Sequence, residues 1–108
     1  MKENQLNRGA GRRLMYVENK EGTVDGVPAR IGWVTFSKSG RTVYYRNLEL
    51  HRTGGQGIRG NYRDVVTGEE YWVSGVKVRG SNNHWAERVQ TAIDPDAVSE
   101  YRRIKARR

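Results

Sequence analysis

Arg41, Arg46, Arg52, Arg59 and Arg63 recur through residues 41–63, where the only acid is Glu49, giving that stretch a net charge of +4. All five cations are arginine, whose planar fork suits bidentate phosphate contacts and stacking on bases. Tyr44 lies among them as an aromatic able to stack on a base face. The pattern points to nucleic acid, RNA or single-stranded DNA, held by its phosphates and base faces. Residues 64–100 carry seven acids against three bases. Pairing of the two halves across a sheet is therefore the structural alternative. A shared face for the arginines favours nucleic acid; dispersal, or pairing with Glu69, Glu70 and Glu87, favours a protein partner.

Other candidate chemistry is weaker. His51 and His84 lack a local metal-ligand spacing, and the chain has no cysteine. No metal or cofactor is expected. With Arg52 and Arg59 the two histidines sketch a metal-independent hydrolase, His as acid and base and Arg on the phosphate. That arrangement supplies no nucleophile–base–orienter set, so the expectation is a binding module and not an enzyme. Residues 55–60, GQGIRG, match the dinucleotide-binding fingerprint in letters. A strand-like run follows where that site needs a helix, which makes these residues a flexible connection. Residues 82–85, NNHW, read as a turn followed by a core tryptophan.

The whole chain carries +8 over 108 residues, and the excess sits at its two ends. Residues 1–13 are +3, residues 101–108 are +5, and residues 14–100 are neutral. Basic ends can neutralise phosphates, or serve only as solubilising, fraying segments. The length suits one domain and excludes a full dinucleotide fold or a repeat array. No membrane-length apolar run and no signal-peptide pattern is evident, so the expected location is cytoplasmic, with no membrane partner.

Stepping from sites to scaffold, 12 valines against 4 leucines and 13 glycines against 2 prolines describe β-branched strands joined by tight turns. Strands are expected from Arg13 to Asn19, Ala29 to Ser37, Arg41 to Arg46, Asn47 to Arg52, Asn61 to Val66 and Glu69 to Arg79. A short closing strand is expected at His84 and Trp85. In the long strand Tyr71 and Val73 are out of phase with Val76 and Val78, so a bulge at Ser74-Gly75 is expected to keep all four on the core face, with Trp33 or Trp72 largely buried. Asp94-Pro95 opens a helix over 95–104, with Asp94 as cap and a stripe of Ala97, Val98, Tyr101 and Ile104 packing on the sheet, where the helix or the N-terminal segment covers the outward aromatics. The boundaries are a basic tail at 1–12, one domain at 13–104 and a basic tail at 105–108. The fold class is mainly β: a small SH3-like or otherwise strongly bent barrel of five to six strands with one C-terminal helix.

Residues 14–22 (LMYVENKEG), 30–46 (RIGWVTFSKSGRTVYYR), 60–77 (GNYRDVVTGEEYWVSGVK) and 79–86 (RGSNNHWA) together resemble a family of small, functionally uncharacterised bacterial proteins. Some of its members carry the label 1-deoxy-D-xylulose-5-phosphate synthase, which belongs to a large thiamine-diphosphate enzyme whose cofactor motif is absent here. The resemblance implies a bacterial cytosolic protein and assigns no catalytic residue. The leading expectation is thus nucleic-acid binding through Arg41, Tyr44, Arg46, Arg52, Arg59 and Arg63 with help from the tails. A protein-interaction module, as inhibitor or accessory subunit, stands second and a small hydrolase third.

Overall fold

Alternation of apolar and polar residues makes each short strand two-faced, and here the inner faces meet in a core while some of the outer faces find cover of their own. The computed structural model describes residues 11–54, 60–78 and 89–107. Its strands are β1 (Arg12–Asn19), β2 (Ala29–Phe36), β3 (Thr42–Tyr45), β4 (Leu48–Arg52), β5 (Tyr62–Asp64), β6 (Glu70–Gly75) and β7 (Thr91–Ile93). The first six form an antiparallel meander, and β6 returns to pair with β1, closing a six-stranded barrel. β7 adds to β2 in parallel, Ala29 facing Thr91 and Ile31 facing Ile93. A 3₁₀ turn (Pro95–Ala97) leads into α1 (Val98–Ala106). The expected mainly β barrel with one C-terminal helix is borne out. No helix among the described residues is long and apolar enough to cross a membrane.

Strand parity builds two layers. Inward residues Val17, Val34, Val43, Tyr45, Leu50, Tyr62, Tyr71 and Val73 fill the barrel. Outward residues Leu14, Tyr16, Ala29 and Ile31 form a second layer with Ala97, against which Trp33, Trp72, Tyr101 and Ile104 pack. The outward aromatics of β2 and β6 are therefore covered by the helix, as the sequence suggests. Trp33 and Trp72 both end partly buried against this layer.

The turns follow their residues. Gly40, at φ +78°, takes the left-handed position of the β2–β3 hairpin. In the β5–β6 turn Asp64 Oδ1 accepts from the Val66 and Thr67 amides. β5 stops at Asp64 because of this turn, and Val65 and Val66 leave the sheet that the sequence assigns to them.

Three more boundaries differ. β6 keeps regular register with β1 through Met15–Gly75, so no bulge forms at Ser74-Gly75. The strand ends there instead, and Val76 turns to the helix-covered layer. β1 begins at Arg12, and α1 runs through Ala106, which takes Arg12 and Lys105 out of the expected tails. The expected strand at His84 and Trp85, the rest of the tails at 1–10 and 108, and Arg59 with the glycine-rich run lie outside the described residues.

β2 and β3 pair only at Thr35–Tyr44 and Phe36–Val43. Beyond that point β2 takes β7 as its neighbour, and Asp94, directly after β7, fills the seam. Its side chain caps no helix. The carboxylate instead accepts from Tyr45 Oη (2.5 Å), Arg46 Nη2 (2.9 Å) and Arg30 Nη1 (3.2 Å). A Cβ at Gly32 would collide with that carboxylate and with the Tyr45 ring, which fixes glycine at this wall position.

Candidate nucleic-acid interface

The two barrel ends differ in chemistry because strand register sorts the charges. At one end, β1 begins, β2 runs out, β3 begins, β4 runs out and β5 begins. Arg13, Phe36 and Arg52 share the inward phase of Val17, Val34 and Leu50, and Tyr62 belongs to the barrel core itself, so all four point to the barrel mouth. The hairpin Ser37–Arg41 forms its rim. Together they line a cup of about 420 Å³. A second depression of about 570 Å³, lined by Thr42, His51 and Gly54, shares Arg41 and Arg52 with it as a common wall.

Aromatic rings hold the guanidinium groups here. Arg13 lies over Phe36 at 5.7 Å and Arg52 over Tyr62 at 5.7 Å. Arg52 Nη1 also donates to Tyr62 Oη (3.3 Å), which itself donates to the Gly40 carbonyl (3.1 Å). A ring orients a cation by its quadrupole without neutralising it. Among the described residues no carboxylate stands within ion-pair distance of Arg13, Lys38, Arg41 or Arg52. The mouth thus presents four exposed cations whose charge is available to an anion. Just outside, Arg12 sits over Trp33 at 4.2 Å.

Outside the mouth, charges are spent on one another. Arg46, at φ +55°, binds Asp94 and also Asp25 (2.6 Å). Arg63 lies 3.6 Å from Glu70. These two arginines do not join Arg41 and Arg52. Arg46 is committed to the seam, and Arg63 faces outward on β5 toward its cross-strand acid, the arrangement that the sequence ties to a protein partner. Tyr44 is half-buried on the outer face of β3, one outward position beyond Thr42 and opposite Glu49. His51 is exposed, its Nε2 3.0 Å from Glu49. The expected cluster therefore splits: Arg41 and Arg52 come together, Tyr44 lies beside their groove, Arg63 stands across from His51 at its edge but is paired with Glu70, and Arg46 is elsewhere.

No family model, curated protein or solved structure matches this chain. The interface therefore rests on its own geometry. That geometry adds Arg13, Lys38 and Phe36, which the sequence reading leaves out. Parity carries the signal for two of them: Arg13 is in phase with Val17, and Phe36 with Val34. A cation in the inward phase at a strand end has to emerge at a barrel mouth.

Buried phenols mark the closed parts of the molecule. Burial, then donation to Asp94, pushes the Tyr45 hydroxyl well above its ordinary range, against the pull of Arg46. Burial and the Glu18 carboxylate do the same to Tyr16. Tyr71 is pushed up to about 12, chiefly by burial and then by Asp64 and Glu69. None of the three lines the mouth, so they belong to scaffold and not to binding chemistry.

Proposed function

We propose that this protein is a non-enzymatic module that binds single-stranded nucleic acid at the cationic mouth of its barrel. The observation that supports the reading is the set Arg13, Lys38, Arg41 and Arg52, gathered at one end with no carboxylate in ion-pair range among the described residues. Phosphates supply the complementary charge, and binding would proceed by counterion release. Phe36 and Tyr62 hold two guanidinium planes on which a base can stack. Tyr44, beside the second depression, extends the stacking surface along β3.

Fluorescence anisotropy with a labelled single-stranded 12-mer, as DNA and as RNA, tests the reading at 50 mM salt. The double variant Arg41→Gln, Arg52→Gln should weaken binding at least tenfold. It should also make the slope of log K against log salt shallower by about 1.4, since each phosphate contact on a single strand contributes about 0.7. Arg63→Gln, whose partner is Glu70, should stay within twofold. If the mouth variant binds like the native chain, the attraction comes from elsewhere and the reading fails.

A protein partner is the second reading. The Arg63–Glu70 pair and the exposed Val66 favour it, the latter at 87% exposure in the β5–β6 turn. Absence of oligonucleotide binding at 50 mM salt would move that reading to first place.

A further inference from the structure

We infer that the cup receives the terminal phosphomonoester of a nucleic-acid strand, while the adjoining depression carries the rest of the strand away; this deepens the proposed function and rests on it. The cup has a floor. Tyr62, only 3% exposed, stands at its base, and beneath it Val17, Val34, Val43 and Leu50 fill the barrel. A strand cannot thread a filled barrel, so a nucleotide seated in the cup has its chain leave sideways. The depression over Thr42 and His51 supplies that path, because Arg41 and Arg52 wall both spaces.

Charge makes the same distinction. An internal diester carries one negative charge, whereas a phosphomonoester near neutral pH carries about 1.5 to 2. Arg13 and Lys38 line the cup but not the depression. Two of the four cations are thus placed where only a strand terminus would use them. Ser37 and Ser39 add hydroxyls on the rim, each already accepting a backbone amide, from Thr42 (3.1 Å) and Arg41 (3.2 Å) respectively. The two oxygens also lie 3.5 Å apart, so one proton can bridge them while the other remains to donate to an anion.

The test compares three forms of one 12-mer on the full chain at 100 mM salt: 5′-phosphorylated, 3′-phosphorylated and without terminal phosphate. One phosphorylated form should bind about tenfold tighter than the unphosphorylated strand, and which of the two identifies the terminus. The double variant Arg13→Gln, Lys38→Gln should reduce the ratio of phosphorylated to unphosphorylated affinity to under twofold, whatever it costs the unphosphorylated strand itself. Arg41→Gln, Arg52→Gln should weaken all three forms. Equal affinity of the three forms, with Arg41→Gln, Arg52→Gln still weakening them all, would overturn the terminal-phosphate inference and leave the nucleic-acid reading standing. No effect of Arg41→Gln, Arg52→Gln on any form would overturn both.

Discussion

Asp94 gathers donors from β2, β3 and the turn after β3, and with 6% exposure its charge has little access to water. An N-cap loss costs about 1 kcal/mol, but removing one partner from a buried ionic network costs about 3–5 kcal/mol because the rest stay uncompensated. Asp94→Ala should therefore lower stability by about 3 kcal/mol, read from the urea midpoint at constant m. A loss near 1 kcal/mol would mean that Arg30 and Arg46 simply turn to solvent. Gly32→Ala should be destabilising through the same seam, since its methyl would displace the Asp94 carboxylate or the Tyr45 ring. Arg46 shows how a single residue escapes a sequence reading. Its type suggests phosphate binding, yet its left-handed φ lies in a turn whose outcome depends on an aspartate 48 positions further on.

The hairpins were the most legible elements, because their turn residues and alternation are local. Ala29–Phe36 and Thr42–Tyr45 lie where the Ser-Gly turn and the β-branched runs put them. What remained hidden depends on partners distant in the chain. The parallel β7 has only Thr91, Ala92 and Ile93 to announce it, and β2 decides its fate. The supposed bulge arose from requiring Val76 to serve the barrel interior, when a second apolar layer existed under α1. That layer makes a prediction at the level of the helix. Tyr101 is half-buried against the barrel wall, so Tyr101→Ala should cost about 2 kcal/mol, below the 3–5 kcal/mol of a fully buried ring. Exposed Arg102→Ala should stay within about 0.5 kcal/mol. Equal midpoints for the two variants in urea would show that α1 does not dock through its stripe. For the interface, the arginine count drew attention to the right stretch of chain, but only the ring of strands separates Arg41 and Arg52 from Arg46 and Arg63.

Across the whole molecule, three phenols couple the fold to alkali. Tyr16, Tyr45 and Tyr71 all ionise above the ordinary value of 10 when folded. Below pH 10 both states keep the protons, and the stabilising terms are fully present. Above it the unfolded chain releases protons that the folded chain retains, so stability falls by up to about 1.4 kcal/mol per pH unit for each phenol. Tyrosinate absorbance should then rise for these three residues together with loss of circular dichroism between pH 10 and 12. A smooth titration of all tyrosines with the fold intact would refute the coupling. A kinetic consequence follows from the way the ring closes. Successive hairpins join neighbours in the chain, but β1 meets β6 only when residue 15 reaches residue 75. Such non-local pairing is slow to form, because the loop entropy is lost before contacts compensate for it. Arg13, Lys38, Arg41 and Arg52 all belong to the β1–β4 meander, in which Arg13 stands across from Val34, so the cations can gather before β6 closes the ring. The cup itself is complete only once β5 brings Tyr62 beneath them. A bound anion bridging Arg13 to the β2–β3 hairpin would hold the start of β1 in place, and hydrogen exchange there should slow when ligand is added.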